Sequence, residues 1–293
     1  MEHSGLCSTF VSMSIHPDVR EKAARFHALH QPGKMLILPN IWDPLGALLL
    51  QDTGFPAIAT ASAAIAYTQG YHDGEKISFE ETLAILARIA GAVNIPVTAD
   101  FESGFAETED QLYRNTLRLL ETGIVGINLE DTDRKTGQLY SIEAQCLRIK
   151  AVRAAASEKN VNLFINARTD VLIHKKNEDG DQIRMIVERG AAYKEAGADG
   201  FYPILITKKE EIERVVKLGI PVNILAVPGI PALNELSAMG VARVSLGPSF
   251  LKTAIRAMRH LASKLRDYEG LAEITGNEIS SDYLKELVNS YNH

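Results

Sequence analysis

Apolar residues in this chain gather in short blocks, and each block is followed by a longer stretch in which they recur every three or four positions. A short β-prone block reads as a buried strand, and the longer spacing reads as an amphipathic helix. The junctions repeat as well. A helix ends at a glycine and an apolar run begins within a few residues, as in Thr53-Gly54-Phe55-Pro56-Ala57-Ile58 and Thr122-Gly123-Ile124-Val125-Gly126-Ile127. The same junction returns at Ala196-Gly197-Ala198-Asp199-Gly200-Phe201, at Leu218-Gly219-Ile220-Pro221-Val222 and at Met239-Gly240-Val241-Ala242-Arg243-Val244. Glycine suits the left-handed position that closes a helix, and Asn94, ahead of Ile95-Pro96, is expected to do the same.

Strands are predicted near 35–39, 57–61, 97–101, 125–129, 162–167, 200–204, 222–227 and 242–246. Helices are predicted over Asp18–His30, after the Asp43-Pro44 cap, and over Ser78–Val93, Thr108–Glu121, Ser141–Ser157, Asp181–Glu195 and Lys208–Lys217. This alternation over 293 residues predicts an α/β fold of the (β/α)8 TIM-barrel type, whose sites lie at the C-terminal strand ends. A doubly wound open sheet is the alternative, but no Gly-x-Gly-x-x-Gly follows the first strand. No Pro-, Ser- or charge-rich linker cuts the chain. Residues 1–293 therefore read as one barrel domain, with a lead-in over 1–17 and extra C-terminal helices over about 249–293.

Composition narrows the partners more than the fold. Hydrophobic residues at 46% and charged residues at 23% leave ample material for a large core. A formal charge of -6 with no Lys/Arg block argues against a nucleic-acid surface. Cys7 and Cys146 are too few for a disulfide framework or a thiolate metal site. No run approaches ~18 apolar residues, so no membrane partner is expected. The first residues lack the pattern of a signal peptide, and a cytoplasmic location is the default expectation.

Polar residues at the strand ends change the picture. Pro96-Val97-Thr98-Ala99 reads as a strand that runs into Asp100 and Glu102. Along an extended chain, residues i and i+2 face the same way, with Cα atoms roughly 7 Å apart, so the two carboxylates are expected to converge. Unpaired carboxylates that close need a cation or a proton. The fourth strand ends in Glu130-Asp131 and the fifth in Asn166-Ala167-Arg168-Thr169-Asp170. The second ends in Thr60-Ala61-Ser62, small residues whose backbone N–H groups a ligand can approach. In a barrel these ends are neighbours. Mg²⁺ fits such a place because it takes oxygen ligands, keeps several waters and leaves positions for substrate. Arg168 offers a planar fork for a carboxylate or phosphonate. The structural alternative is a plain rim ion pair between Glu130 and Arg168.

Asn40-Ile-Trp-Asp43, Gly54-Phe-Pro-Ala-Ile58, Gly70-Tyr-His-Asp-Gly74, Asp100-Phe-Glu-Ser-Gly104, Asn128-Leu-Glu-Asp131 and Asn166-Ala-Arg-Thr-Asp170 occur in that order. The ordered set resembles the isocitrate lyase/phosphoenolpyruvate mutase superfamily from about residue 20 to about 260. The resemblance implies a barrel that binds Mg²⁺ and a small anionic 2-oxo or 2-hydroxy carboxylate, and that makes or breaks a bond at C3 through an enolate. It implies Asp100 as the most direct metal ligand, with Glu102 and Glu130 holding metal waters, although the family more often has Asp at the first of these. It implies Asp73 as a further acid reaching that water shell and a catalytic candidate beside Arg168. Thr60, Ala61, Ser62, Asn166 and Arg168 become the substrate-binding candidates, and a homo-oligomer, dimer or tetramer, is suggested.

One departure is informative. The isocitrate and methylisocitrate lyases of this superfamily carry a Lys-Cys-Gly-His loop after the fourth strand, whereas this chain has Thr132-Asp133-Arg134-Lys135-Thr136-Gly137-Gln138-Leu139-Tyr140. True isocitrate cleavage is disfavoured. Oxaloacetate decarboxylase, phosphonopyruvate hydrolase and phosphoenolpyruvate mutase types remain, with 132–140 as a candidate lid and Lys135 as a candidate contact to the leaving group. The competing readings are a methylisocitrate-type lyase, a non-catalytic 2-oxo-acid-binding protein, a Schiff-base aldolase lacking its strand-end lysine, and a phosphate site at Leu246-Gly247-Pro248-Ser249.

Overall fold

A computed structural model describes residues 17–31, 33–174 and 182–289; the lead-in up to residue 16, Cys7, Asp181 and Ser290 lie outside the described residues. Helix α1 (Pro17–Ala28) precedes β1 (Leu36–Leu38), β2 (Asn40–Ile41), α2 (Pro44–Asp52), β3 (Ile58–Thr60) and α3 (Ser62–Thr68). Next come α4 (Phe79–Ala92), β4 (Val97–Asp100), α5 (Glu109–Leu120) and β5 (Gly126–Glu130). A hairpin of β6 (Thr132–Asp133) and β7 (Gln138–Leu139) leads to α6 (Ile142–Glu158), β8 (Phe164–Thr169), α7 (Gln182–Glu195) and β9 (Gly200–Pro203). The rest is α8 (Lys209–Val216), β10 (Asn223–Leu225), α9 (Leu233–Ala238), β11 (Arg243–Ser245), α10 (Ser249–Arg266), α11 (Leu271–Thr275) and α12 (Ser281–Asn289).

One parallel sheet runs β2-β3-β4-β5-β8-β9 and another runs β1-β11-β10. Pro39 separates β1 from β2, because a residue without an N–H interrupts the ladder. The two pieces are therefore one stave. At the other seam, a parallel bridge from Phe201 to Val222 joins β9 to the entry of β10. The staves thus follow one another around a closed ring, as the alternation of strands and helices predicts, and an open doubly wound sheet is ruled out.

The local chemistry accounts for most boundaries. Asp43 caps α2 by accepting the Gly46 N–H at 2.7 Å, ahead of Pro44 in the first turn. The glycines that close helices, Gly54, Gly123, Gly197, Gly219 and Gly240, all have φ between 64° and 106°. Asn94 differs from expectation: it is not among the residues with positive φ. The side chain of Gln51 accepts the Asn94 and Ile95 N–H groups instead, so a neighbouring helix closes α4. Segment 132–140, the candidate lid, is a short antiparallel hairpin, and α3 stands where the apolar spacing predicts no helix.

The N-terminal mouth of the barrel is sealed by α1. Phe26 and Ala23 are fully buried, and the Phe26 ring meets Phe164 edge-on with centroids 5.3 Å apart. His30 stacks on the same Phe164 at 4.1 Å and bonds the Phe26 carbonyl. Gly126 admits this plug, since a Cβ there would stand 2.9 Å from Phe26 and 2.8 Å from the Thr98 hydroxyl. With that end filled, ligands have the C-terminal mouth.

Candidate active site

Strand register sets the levels of the mouth. Asp100 is level with Asn128, and Asn128 with Asn166; one step higher on the same face, Glu130 is level with Arg168 and Arg168 with Tyr202. Side chains two apart on a strand share a face, so acids, amides and the arginine are stacked inside one ring.

Asp100 ends β4. Its Oδ2 accepts the Ser62 hydroxyl at 2.7 Å and the Ser62 N–H at 3.2 Å, and its Oδ1 faces the Asn128 amide at 3.4 Å. Asn166 donates to Asn128 Oδ1 at 2.8 Å, which turns the Asn128 amide nitrogen toward Asp100. Thr60 is buried, and its hydroxyl accepts the Asp100 N–H. The Ala61 N–H donates to Ile41 O. Two of the amides expected to face a substrate, those of Ala61 and Ser62, are therefore spent within the protein.

The expected extended run through Glu102 is not what brings it to the mouth. The strand stops at Asp100, and Glu102 lies at φ +50°, in the left-handed region. Its carbonyl still pairs with the Glu130 N–H at 2.8 Å, so the turn hugs β5. A reciprocal clamp fixes this conformation. Glu102 Oε2 accepts the N–H of Glu75, itself at φ +56°, and Glu75 Oε1 accepts the Ser103 and Phe105 N–H groups and the Ser103 hydroxyl. Left-handed backbone costs an ordinary residue on the order of 1 kcal/mol, and these bonds offset it.

Glu130 is buried and lies between two guanidiniums. Arg168 reaches its Oε1 at 2.5 Å, and Arg134, from the hairpin, reaches its Oε2. The same Arg134 nitrogen stands 3.2 Å from Glu102 Oε2. Arg168 also donates to Asp170 at 2.7 Å and lies over the Tyr202 ring at 6.0 Å. The rim ion pair is thus present, but as part of a larger cluster.

Carboxylates outnumber guanidiniums here, and the titration of the acids reflects it. Burial, then the charge of Glu130, pushes Glu102 up to about 9 against the pull of Arg134. Burial also raises Glu130, although Arg168 opposes it. Asp73 is exposed as a residue, yet partial burial of its carboxyl and the nearby Asp100 hold it above its ordinary value. Burial lowers Arg168, but Glu130 and Asp170 reverse that and raise it.

Among the described residues, no three His, Cys, Asp or Glu side chains stand close enough to share one ion directly. A set of hard oxygen donors crowded together out of water nonetheless fits Mg²⁺, which binds through one or two carboxylates and keeps waters for the rest. Glu102 and Glu130, each raised by burial, are carboxyls that a cation would relieve.

Other readings are narrowed by the same geometry. Lys135 pairs with Glu107 on the surface at 3.3 Å, away from the acids. The Leu246 and Gly247 N–H groups, candidates for a phosphate, both donate to Asn40 Oδ1. None of the described strands contains a lysine, as a Schiff-base aldolase would want. Cys146 is a packed residue on α6, its thiol raised by burial. Sequence reasoning assigned no role to Asn128, Arg134, Glu75 or Tyr202. Asn128 was signalled by its place two residues before Glu130; Glu75 carried no signal.

A model of the phosphoenolpyruvate phosphomutase family matches residues 26–266. The chain belongs to this family. An uncharacterized protein of Mycobacterium tuberculosis is 30% identical over 84% of this chain and 90% of its own length. Oxaloacetate decarboxylase 2 of Pseudomonas fluorescens is 27% identical over 94% of this chain and 91% of its own. A crystal structure of phosphonopyruvate hydrolase in complex with oxalate and Mg²⁺ is 25% identical and superposes with a TM-score of 0.81, over 92% of this chain and 96% of the other. Among the described residues, no helix is long and apolar enough to cross a membrane.

Proposed function

We propose that this phosphomutase-family chain is an Mg²⁺-dependent enzyme that cleaves or rearranges the bond between C3 and its substituent in a small 2-oxo carboxylate, such as oxaloacetate or phosphonopyruvate. The observation that carries the reading is the surplus of carboxylate around Asp100, Glu102 and Glu130, placed against Arg168. Asp100 would hold the ion most directly, Glu102 and Glu130 would hold its waters, and Asp73 would reach the same shell. When bound, the ion supplies Lewis-acid stabilisation of charge on the keto oxygen.

The chain's own residues do the rest. Arg168 is anchored by Glu130 and Asp170, which fixes its plane and leaves further N–H groups to orient the substrate carboxylate. Asn166 and Asn128 hold Asp100 in place from below. For oxaloacetate, the C3–C4 bond breaks and carbon dioxide leaves neutral. The electron pair stays on C3 and delocalises to the keto oxygen as the enolate of pyruvate, and a proton from solvent then adds to C3. We read the barrel and its tail as one domain that assembles as a homo-oligomer, a dimer or tetramer; exposed Ile255 and Met258 on α10 support that assembly.

A panel of 2-oxo acids with Mg²⁺, coupled to pyruvate detection, tests the reading. Pyruvate release from a 3-substituted member, lost on adding EDTA, is the expected result. Full turnover in metal-free buffer overturns it. Tight oxalate binding with no turnover of any member would assign the pocket to a binding protein instead.

A further inference from the structure

Hairpin β6–β7 is held at its base from both sides. The Tyr140 N–H donates to Asp131 O at 2.8 Å, and the Thr132 hydroxyl donates to Asp170 at 2.6 Å. Its turn is stitched to itself, with Asp133 accepting the Lys135 N–H and the Thr136 hydroxyl. Two ties run from the turn to the rest of the chain. Lys135 meets Glu107 with both side chains about 70% exposed, an arrangement that contributes little. Arg134 instead reaches past the rim to Glu130 and Glu102, whose side chains are almost fully buried.

Oxygen accounting sharpens the point. Glu130 has one oxygen on Arg168 and the other on Arg134, so neither is without a guanidinium. Glu102 Oε2 is shared by Arg134 and the Glu75 N–H. These are two of the carboxylates to which the metal reading gives the ion's waters. A guanidinium and a hydrated ion compete for the same lone pairs, and the ion carries twice the charge. Arg134 is also able to leave, since it is about a third exposed and lines a cavity of about 470 Å³ with Glu75, Ser103 and Tyr140.

We propose that Arg134 is an internal counter-cation that competes with the divalent ion for Glu102 and Glu130, and that it latches the hairpin to the mouth until the ion displaces it. The proposal rests on the Mg²⁺ reading above and adds a price to loading: the ion must break an existing cluster. It also gives the longer Glu102, where the resemblance leads one to expect Asp, a reason to be there. One more methylene lets the carboxylate serve the Glu75 amide and Arg134 together.

Two measurements on the whole protein test this without assaying turnover. In Mn²⁺ titrations followed by electron paramagnetic resonance, Arg134→Gln should bind the ion roughly tenfold more tightly than the unchanged protein, the equivalent of ~1.4 kcal/mol, and Arg134→Lys should fall between them. In limited trypsin digestion of the unchanged protein, Mg²⁺ should speed cleavage after Arg134 or Lys135. Equal or weaker Mn²⁺ binding by Arg134→Gln overturns the competition. A cleavage rate indifferent to Mg²⁺ overturns the latch even if the variant does not fold. Absence of Mn²⁺ binding by every form instead overturns the metal reading, and the latch with it.

Discussion

At its lower end the barrel is filled by rings, and at its upper end it is lined by charge. Phe26, Phe164 and His30 pack against one another at the floor, where all three rings are buried. At the mouth, Glu102, Glu130 and Arg168 crowd together on backbone that includes left-handed turns. The same strands supply both ends. The floor is built to be stable and the mouth carries repulsion and strain, so substitutions at the two ends should fail in different ways.

The largest effect is expected at the mouth. Asp100→Ala should lower turnover by on the order of 10³-fold, because several kcal/mol of charge stabilisation is lost with the ion, while the unfolding midpoint in urea changes little. A variant with near-normal turnover would remove Asp100 from the metal site. Next comes the floor. Phe26→Ala should cost about 3–5 kcal/mol of stability by leaving a cavity, with turnover per folded molecule preserved. If turnover fell and stability did not, the division between the two ends would be wrong.

The smallest effect is a pH dependence. Burial, then the charge of Arg243, lowers His30 from 6.5 to about 3. The unfolded chain takes up this proton near 6.5 and the folded protein does so only near 3. Stability is therefore fully present above 6.5 and falls as the pH drops through that window, by up to about 1.4 kcal/mol per pH unit from this ring. Urea unfolding at pH 7.5 and 5.5 should show a smaller difference for His30→Gln than for the unchanged protein.

How much of this was legible beforehand depends on whether the cause was local. The closing glycines and the Asp43-Pro44 cap act within a few residues, and they marked the barrel correctly. Asn94 misled because its helix is closed by Gln51, remote in sequence. The hairpin was missed because its sheet has two pairs, Thr132–Leu139 and Asp133–Gln138, too few for an apolar rhythm. Glu130 and Asp131 show the limit most clearly. Adjacent at the end of β5, they face opposite ways. Glu130 enters the mouth, while Asp131 is buried behind the barrel, bonded by Thr169, Arg189 and Tyr193 in a structural role. Chain order alone makes them look like a pair.

The clasp between Glu75 and Glu102 has a consequence for how this scaffold can change. The Glu102 carboxylate holds the backbone of Glu75 and the Glu75 carboxylate holds the backbone just after Glu102, so the segment bearing Asp73 and the segment after β4 behave as one part. A new loop grafted at 70–76 would also unsettle Ser103 and Phe105, and with them Glu102. Diversification on this barrel would then proceed by exchanging both loops together, and the hairpin would have to follow, because its Arg134 also rests on Glu102.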